Sequence, residues 1–140
     1  MKIEDKEAEL IEEFAIYDDW MDKYEYIIEL GKDLPLIAEE FKTDVNIIKG
    51  CQSTVWLHAE IIGGKVVFTG DADAIIVKGL VAILIRILSN EEPDVILNND
   101  LGFIKEIGLQ EHLSPTRSNG LLAMIKQMKL YALGLKMKNA

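Results

Sequence analysis

The sequence of 140 residues contains only one cysteine, Cys51. A single thiol cannot form a disulfide within the chain, and it cannot supply the four thiolates of a structural zinc site. The sequence also has only three prolines and ten glycines, which excludes a collagen-like or low-complexity chain. Since 49% of the residues are hydrophobic, the chain has the composition and length of one folded domain.

Basic side chains are outnumbered by acidic ones. Lys and Arg total 15 against 24 Asp and Glu, so the formal net charge is −9, which argues against nucleic-acid binding through a basic footprint. The excess lies in residues 1–44, which have fifteen acidic and five basic side chains, whereas residues 45–140 have nine and ten. Two interpretations stay open: solvated faces of opposite charge at the two ends of the chain, or electrostatic steering of a partner.

Long apolar runs are absent as well. The most apolar stretch, Ile75–Leu88, contains Lys78 and Arg86 and is shorter than the about 20 residues that span a bilayer. We therefore predict a buried helix here and no association with a membrane. Residues 1–7 are highly charged and are not followed by the apolar segment of a secretory signal. We expect a cytoplasmic protein, in which a lone thiol stays reduced.

The acidic N-terminal part has apolar residues at helical spacing. This spacing predicts a helix over residues 4–14 and a second helix that begins near Trp20. Gly31 is expected to end the second helix as its C′ residue. A third short helix is predicted to begin at a cap provided by Asp33.

The period then changes to that of strands. Residues 54–61 and 65–69 predict a hairpin around a two-glycine turn, and residues 47–49 predict a third, short strand. Either Asp71 or Asp73 is expected to cap the buried helix that follows.

The last helix is predicted over about residues 114–137, with Ser114 as its cap and Pro115 in its first turn. Residues 98–109 predict a short helix with loops. Because no linker divides the chain, we predict a single α+β domain over residues 1–140. Its parts are an acidic helical segment, a small antiparallel sheet of about three strands with the buried helix, and the C-terminal helix, over about residues 1–44, 45–90 and 114–137.

Cys51 lies at a predicted bend just before a strand. A free cysteine usually packs as a small buried hydrophobe, but a bend gives a thiol access to a partner. Gly50 either lets this loop move or simply occupies a turn. Gln52 and Ser53 either donate hydrogen bonds to the loop or the thiolate, or satisfy local backbone groups.

The other reactive side chains restrict what Cys51 can do. A cysteine hydrolase needs a histidine paired with the cysteine. His58 follows Cys51 by an odd number of residues, so if the strand begins near Cys51 the two side chains would lie on opposite faces. His112 stays geometrically possible. Sulfur exchange with a separate protein needs only one thiolate, and a nearby cation such as Arg117 would favour that thiolate.

Three segments resemble the motifs of the SufE family of sulfur acceptors. Residues 50–57, Gly-Cys-Gln-Ser-Thr-Val-Trp-Leu, resemble the hallmark of the family. Residues 70–80 are similar to its second motif and residues 113–121 to its third. The segments occur in the order of the family, and the resemblance covers roughly residues 20–135.

The resemblance implies an α+β fold shared with the IscU and NifU scaffold proteins. It also implies a protein that is not itself an enzyme but accepts persulfide sulfur from a cysteine desulfurase of the SufS type. The partner enzyme uses pyridoxal phosphate, whereas the carrier binds no cofactor and no metal. The carrier raises desulfurase turnover and passes the sulfur to an iron–sulfur cluster scaffold. A homodimer is compatible with the family.

Matching the motifs residue by residue implies that Cys51 is the sulfur acceptor. Arg117 matches the arginine of the third motif and either favours the anionic sulfur, contacts the partner or is simply solvated. Asp71 and Asp73 match the acidic pair before the buried helix and are either caps or partner contacts. Two alternatives stay beside the carrier: a module that activates a desulfurase by binding alone, and an iron–sulfur scaffold. The scaffold is disfavoured because clusters are usually held by several thiolates.

Overall fold

A computed structural model describes residues 2–139. The chain forms helices before and after one β-hairpin. The α-helices and strands within the described part are α1 Ile3–Ala15, α2 Trp20–Gly31, β1 Val55–Ile62, β2 Lys65–Ala72, α3 Ile75–Leu88, α4 Pro93–Asn98, α5 Phe103–Ile107, α6 Leu109–His112 and α7 Pro115–Lys138. This is the predicted α+β class. Within residues 2–139, no helix is long and apolar enough to cross a membrane.

The sheet consists of the predicted hairpin. β1 and β2 pair antiparallel from Val55 opposite Ala72 to Ile62 opposite Lys65. The turn is made by Gly63 and Gly64, which have φ angles of +60° and +80°, values that favour glycine in tight hairpin turns. One face of the hairpin is buried, with Val55, Leu57, Val66 and Phe68 inaccessible or nearly so.

The third strand was predicted wrongly. Ile47 makes only an isolated antiparallel bridge with Trp56, and the Ile48 N–H donates to the Val55 carbonyl at 2.9 Å. The chain then turns at Lys49 and Gly50. The segment therefore leaves β1 before a ladder of more than one bridge can form.

Helix α3 is the centre of the core. Of its fourteen residues, eleven are buried, and α2 packs closely along it. A Cβ on Gly79 would lie 2.1 Å from the Ile27 carbonyl oxygen, and one on Gly31 would lie 2.9 Å from the Gly79 nitrogen. Gly31 is the last residue of α2 and is followed by Lys32 in a right-handed helical conformation. Gly31 is thus a helical residue rather than the C′ residue, and that prediction was wrong. A glycine is needed here because α2 packs closely against α3.

The helix predicted from Asp33 does not form. The Pro35 carbonyl accepts the Gly70 N–H, and the Ile37 N–H donates to the Gly70 carbonyl, both at 3.0 Å. These bonds hold the chain extended beside β2, and only residues 39–41 form a 3₁₀ turn. Residues 98–109 contain the end of α4, all of α5 and the start of α6, and Gly108 with a φ of +84° separates α5 from α6.

Helix α7 begins as predicted. Ser114 precedes Pro115, and its hydroxyl accepts the Arg117 N–H at 3.3 Å. The buried face of α7 lies over α4, β1 and α3 and consists of Gly120, Leu121, Met124, Met128 and Ala132. The first turns of this helix lie beside the Cys51 loop.

Candidate functional site

The loop that carries Cys51 connects residue 48 to β1. Gly50 has a φ of +93°, in the left-handed region that side chains with a Cβ rarely adopt. A Cβ at this position would also lie 3.4 Å from the Ala123 Cβ on α7. Gly50 is therefore required by the backbone turn that directs Cys51 towards α7.

The Cys51 side chain is partly buried. Its Sγ donates a weak hydrogen bond to the Gly120 carbonyl oxygen at 3.6 Å, in the second turn of α7. Burial raises the pKa of the Cys51 thiol, because removal from water penalises the charged thiolate. In this conformation Cys51 is a protonated, sheltered thiol at neutral pH rather than an activated nucleophile.

A cleft of about 300 Å³ opens beside Cys51. Its walls include the apolar side chains of Ala74, Val77 and Leu80 from the α3 side and Met124 from α7. The sulfur thus lies between water and an apolar wall. An added sulfur atom is small compared with this volume, so the cleft has room for it.

Polar residues also line the cleft. Gln52 and Ser53 follow Cys51 in the loop, and Ser114, Thr116 and Arg117 come from the start of α7. Arg117 is exposed, and within residues 2–139 its guanidinium makes no ion pair. The structure therefore brings Gln52, Ser53 and Arg117 together with Cys51 at one cleft. The pKa of Cys51 is raised by burial, and Arg117 does not contribute to this shift.

Asp73 does not cap α3, contrary to the prediction. The helix begins at Ile75, and its N-cap residue is Ala74 without a side-chain hydrogen bond. Asp73 instead binds Thr54 twice: its carboxylate accepts the Thr54 N–H and its own N–H donates to the Thr54 carbonyl, both at 3.1 Å. Asp73 therefore fixes the end of the Cys51 loop where the loop joins β1.

Asp71 is likewise not a helix cap, because β2 extends through Ala72. Its carboxylate lies 3.0 Å from Lys42 Nζ and 3.7 Å from Lys78 Nζ. Burial alone would raise the pKa of Asp71, but the hydrogen bonds from Lys42 and the Ala72 N–H and the charges of both lysines together lower it. Lys42 also lies 4.5 Å from the centre of the Trp56 ring.

Lys42 was not predicted from the sequence. It lies between two short 3₁₀ turns, residues 39–41 and residues 44–46, and its partner Asp71 is 29 residues further along the chain. No local pattern marks such a pair. The acidic and basic residues near the site are thus partly paired, whereas Arg117 lines the cleft and is exposed.

Both histidines lie outside the cleft. His58 stacks on Phe41 with ring centres 3.8 Å apart, and His112 stacks on Trp20 at 4.0 Å. Neither lines the cleft beside Cys51. The arrangement therefore does not provide Cys51 with a histidine base.

The fold is similar to that of a solved structure. The solution structure of a hypothetical protein from Thermus thermophilus superposes with a TM-score of 0.78. The match covers 94% of this chain and 96% of that protein, at 23% sequence identity. This likeness supports the α+β architecture described above.

Sequence comparison identifies the family. The family model described as "SufE: Fe-S metabolism associated domain" matches residues 8–132. An uncharacterised SufE-like protein of Rhizobium meliloti (strain 1021) is 44% identical over 131 residues, which cover 90% of this chain and 94% of that protein. A second uncharacterised SufE-like protein, from Rhizobium etli, is 44% identical over 126 residues, covering 86% and 85%. The chain belongs to the SufE family, which is associated with iron–sulfur metabolism.

Proposed function

We propose that this protein is a sulfur carrier for iron–sulfur cluster assembly. Cys51 accepts sulfur from a SufS-type cysteine desulfurase that uses pyridoxal phosphate, increases its turnover, and delivers the sulfur to a cluster scaffold. The observation that carries the proposal is the position of Cys51 on a glycine-containing loop at a cleft with room for another sulfur. The cytoplasm, where thiols stay reduced, suits this chemistry.

The transfer is a thiol exchange. The Cys51 thiolate attacks the outer sulfur of the donor's persulfide, so a new S–S bond forms on Cys51. The S–S bond to the donor cysteine breaks, and that cysteine leaves as a thiolate. The proton lost by Cys51 passes to solvent or to the thiolate that leaves. The sulfane sulfur moves with its oxidation state unchanged, and no outside oxidant or reductant is consumed.

The resting conformation requires the loop to move before transfer. Cys51 Sγ is partly buried and donates to the Gly120 carbonyl, so an incoming sulfur has restricted access to it. Movement towards solvent removes the burial that raises the pKa of the thiol and increases the fraction of thiolate. In this proposal Gly50 permits such a movement, and the positive charge of Arg117, an exposed residue that lines the cleft, attracts the anionic sulfur.

The decisive experiment follows sulfur on Cys51. The protein is incubated with a SufS-type desulfurase and L-cysteine, and its intact mass is measured. We expect the wild-type protein to gain a sulfur atom and the Cys51→Ser variant to gain none. Lys105→Ala, at an exposed position on α5, serves as a matched control and is expected to behave as wild type. A sulfur adduct retained by Cys51→Ser would overturn the assignment.

A second readout separates a carrier from a module that only binds. Sulfide release by the desulfurase is measured with wild-type protein and with Cys51→Ser. A carrier stimulates release through its thiol, so the variant should lose the stimulation while it still binds the enzyme. Full stimulation by Cys51→Ser would favour activation by binding alone and contradict the carrier.

A further inference from the structure

Tyr131 contacts the chain on both sides of the Cys51 loop. It lies on α7, about three turns after Gly120, and its hydroxyl is 2.8 Å from Asn46 Oδ1 and 3.0 Å from the Leu57 carbonyl oxygen. Asn46 precedes Cys51 by five residues, and Leu57 follows it by six. We call Tyr131, Asn46 and Leu57 the tyrosine anchor. One hydroxyl group therefore joins the chain before the loop and the chain after it to the same helix.

The Asn46 side chain is held in a single orientation. Its amide nitrogen lies 2.6 Å from the Phe41 carbonyl oxygen, and a carbonyl oxygen only accepts hydrogen bonds. The nitrogen must therefore face Phe41, which leaves Oδ1 to face Tyr131 as an acceptor. Within residues 2–139, Asn46 is the only polar residue that is buried, with 8% exposure. Loss of its partner would leave a buried polar group unsatisfied, which is costly.

The Tyr131 hydroxyl serves its two acceptors with one proton. Burial raises the pKa of Tyr131, so the hydroxyl stays protonated and donates at neutral pH. Carbonyls two residues apart on a strand point to the same edge, and on this edge of β1 the Val55 carbonyl accepts the Ile48 N–H at 2.9 Å. The Leu57 carbonyl is the next acceptor along that edge. These bonds close the base of the loop and leave residues 49–54 between them.

We propose that Tyr131 is a positioning residue that sets how readily the Cys51 loop opens. Its bonds hold the base of the loop on α7, where Gly120 accepts the Cys51 thiol. Without the hydroxyl, both acceptors lose their donor in the closed state, whereas water supplies one when the base opens. The closed state is then less favoured. The inference rests on the proposed function in one respect, namely that Cys51 leaves its shelter to accept sulfur.

The test removes one hydroxyl group and follows Cys51 with iodoacetamide, without any desulfurase. Because Cys51 is the only cysteine of the chain, intact mass reports its alkylation directly. We expect Tyr131→Phe to be alkylated about fivefold faster than wild type at pH 7, which is the smaller change that loss of one buried hydrogen bond gives in an equilibrium. Alkylation at the wild-type rate would overturn the proposal.

Tyr26→Phe is the matched control, because it removes another partly buried tyrosine hydroxyl. Tyr26 donates to Glu13, which is also bound by Arg86 in the last turn of α3. Val77, which lines the cleft, lies in the first turn of that helix. We expect Tyr26→Phe to lower stability in urea and to keep the wild-type rate of alkylation. Equal acceleration in both variants would show a general loosening of the fold and would overturn the specific role of Tyr131.

A double variant tests whether Tyr131 acts through Asn46. Asn46→Ala should be alkylated faster than wild type, because it removes the acceptor and the bond to Phe41 together. Adding Tyr131→Phe to Asn46→Ala should increase the rate by about twofold at most, since residues that share a hydrogen bond do not act additively. A further fivefold increase would contradict the tyrosine anchor.

Stimulation of the desulfurase provides a second readout. A loop that opens more readily lowers the apparent dissociation constant for a partner that needs the open state. For Tyr131→Phe we therefore expect half-maximal sulfide release at an about fivefold lower concentration of the carrier, with the maximal rate unchanged because Cys51 and the cleft are intact. A lower maximal rate with unchanged half-saturation would contradict a positioning role.

The two proposals fail in different ways. If Tyr131→Phe speeds alkylation but Cys51 of the wild-type protein takes up no sulfur, the carrier function is wrong and the tyrosine anchor stands. If the wild-type protein takes up sulfur but Tyr131→Phe leaves alkylation unchanged, the tyrosine anchor is wrong and the carrier function stands.

Discussion

At the scale of a single residue, the partial burial of Cys51 opposes the access that its proposed function requires. A sulfur acceptor must meet a partner's sulfur, yet the Cys51 thiol is partly buried and donates to the Gly120 carbonyl. Burial favours the protonated thiol and lowers its reactivity. Its surroundings therefore favour the unreactive, protonated thiol, and the proposed transfer depends on movement of the loop.

This state predicts the pH dependence of alkylation. Iodoacetamide reacts with the thiolate, and burial raises the pKa of Cys51 in the folded protein. We expect alkylation near pH 7 to be slower in the folded protein than in the same protein in urea. The difference should narrow as the pH rises through the folded pKa, because thiolate then forms in both states. Intact mass measures the progress of alkylation. Equal rates for the folded protein and the protein in urea at pH 7 would contradict the sheltered thiol.

Local sequence predicted some residues of the site and not others. Gly50, Cys51, Gln52 and Ser53 are consecutive, so one motif defines them together. Asp73 was predicted to cap a helix, because an aspartate shortly before an apolar helix commonly does so. Its actual partner, the Thr54 N–H, depends on how the hairpin ends pair, and this register is not visible in either segment alone.

At the scale of elements, the contact between α2 and α3 depends on the absence of a side chain. A Cβ on Gly79 would overlap the Ile27 backbone, since its carbonyl oxygen would be only 2.1 Å away. The two helices approach closely at this point and support the apolar side of the cleft, to which α3 contributes Val77 and Leu80.

Two glycine substitutions test this contact. Gly79→Ala should lower the free energy of unfolding by about 2 to 3 kcal/mol, because the added methyl group forces α2 and α3 apart. Gly134→Ala is the matched control: it lies on α7 with open space where a methyl group would be added and should raise that free energy by about 0.5 to 1 kcal/mol. Urea unfolding measures both. A Gly79→Ala protein as stable as wild type would contradict the close approach.

The elements that were predicted correctly have strong local signals in the sequence. α1, α2, the hairpin and α7 follow from apolar spacing, paired glycines and the Ser114-Pro115 start. The segment from Asp33 failed because the backbone of Pro35 and Ile37 binds Gly70, and such long-range bonds override local preference. The third strand failed because the turn at Gly50 intervenes after one bridge.

At the scale of the whole molecule, an ion pair and hydrogen bonds attach the acidic helix α1 to α2 and α3. Arg86 on α3 donates to Glu13 on α1, with Nη1 at 2.8 Å from Oε1, and Tyr26 on α2 also donates to Glu13. These bonds lower the pKa of Glu13, chiefly through Arg86. Three helices therefore meet at one carboxylate.

The pH dependence of the free energy of unfolding tests the contribution of the Glu13 carboxylate. A lowered pKa in the folded state means that Glu13 stabilises the protein above its ordinary pKa, and that this contribution is lost as the pH falls through the folded pKa. Glu13→Gln should lower the free energy of unfolding by about 1 kcal/mol near pH 7 and have little effect at pH values below the folded pKa. Glu60→Gln, at an exposed strand position, provides the control, and an equal loss at both pH values would contradict the ion pair.

The shelter around Cys51 also affects which molecules in a cell can modify it. Glutathione disulfide and peroxides diffuse freely, and any accessible thiolate reacts with them by attacking their S–S or O–O bond. A cysteine that stays protonated against the Gly120 carbonyl offers them little to react with. The proposed transfer therefore requires a protein partner that moves the loop outward, and small oxidants that cannot move the loop should react slowly with this thiol.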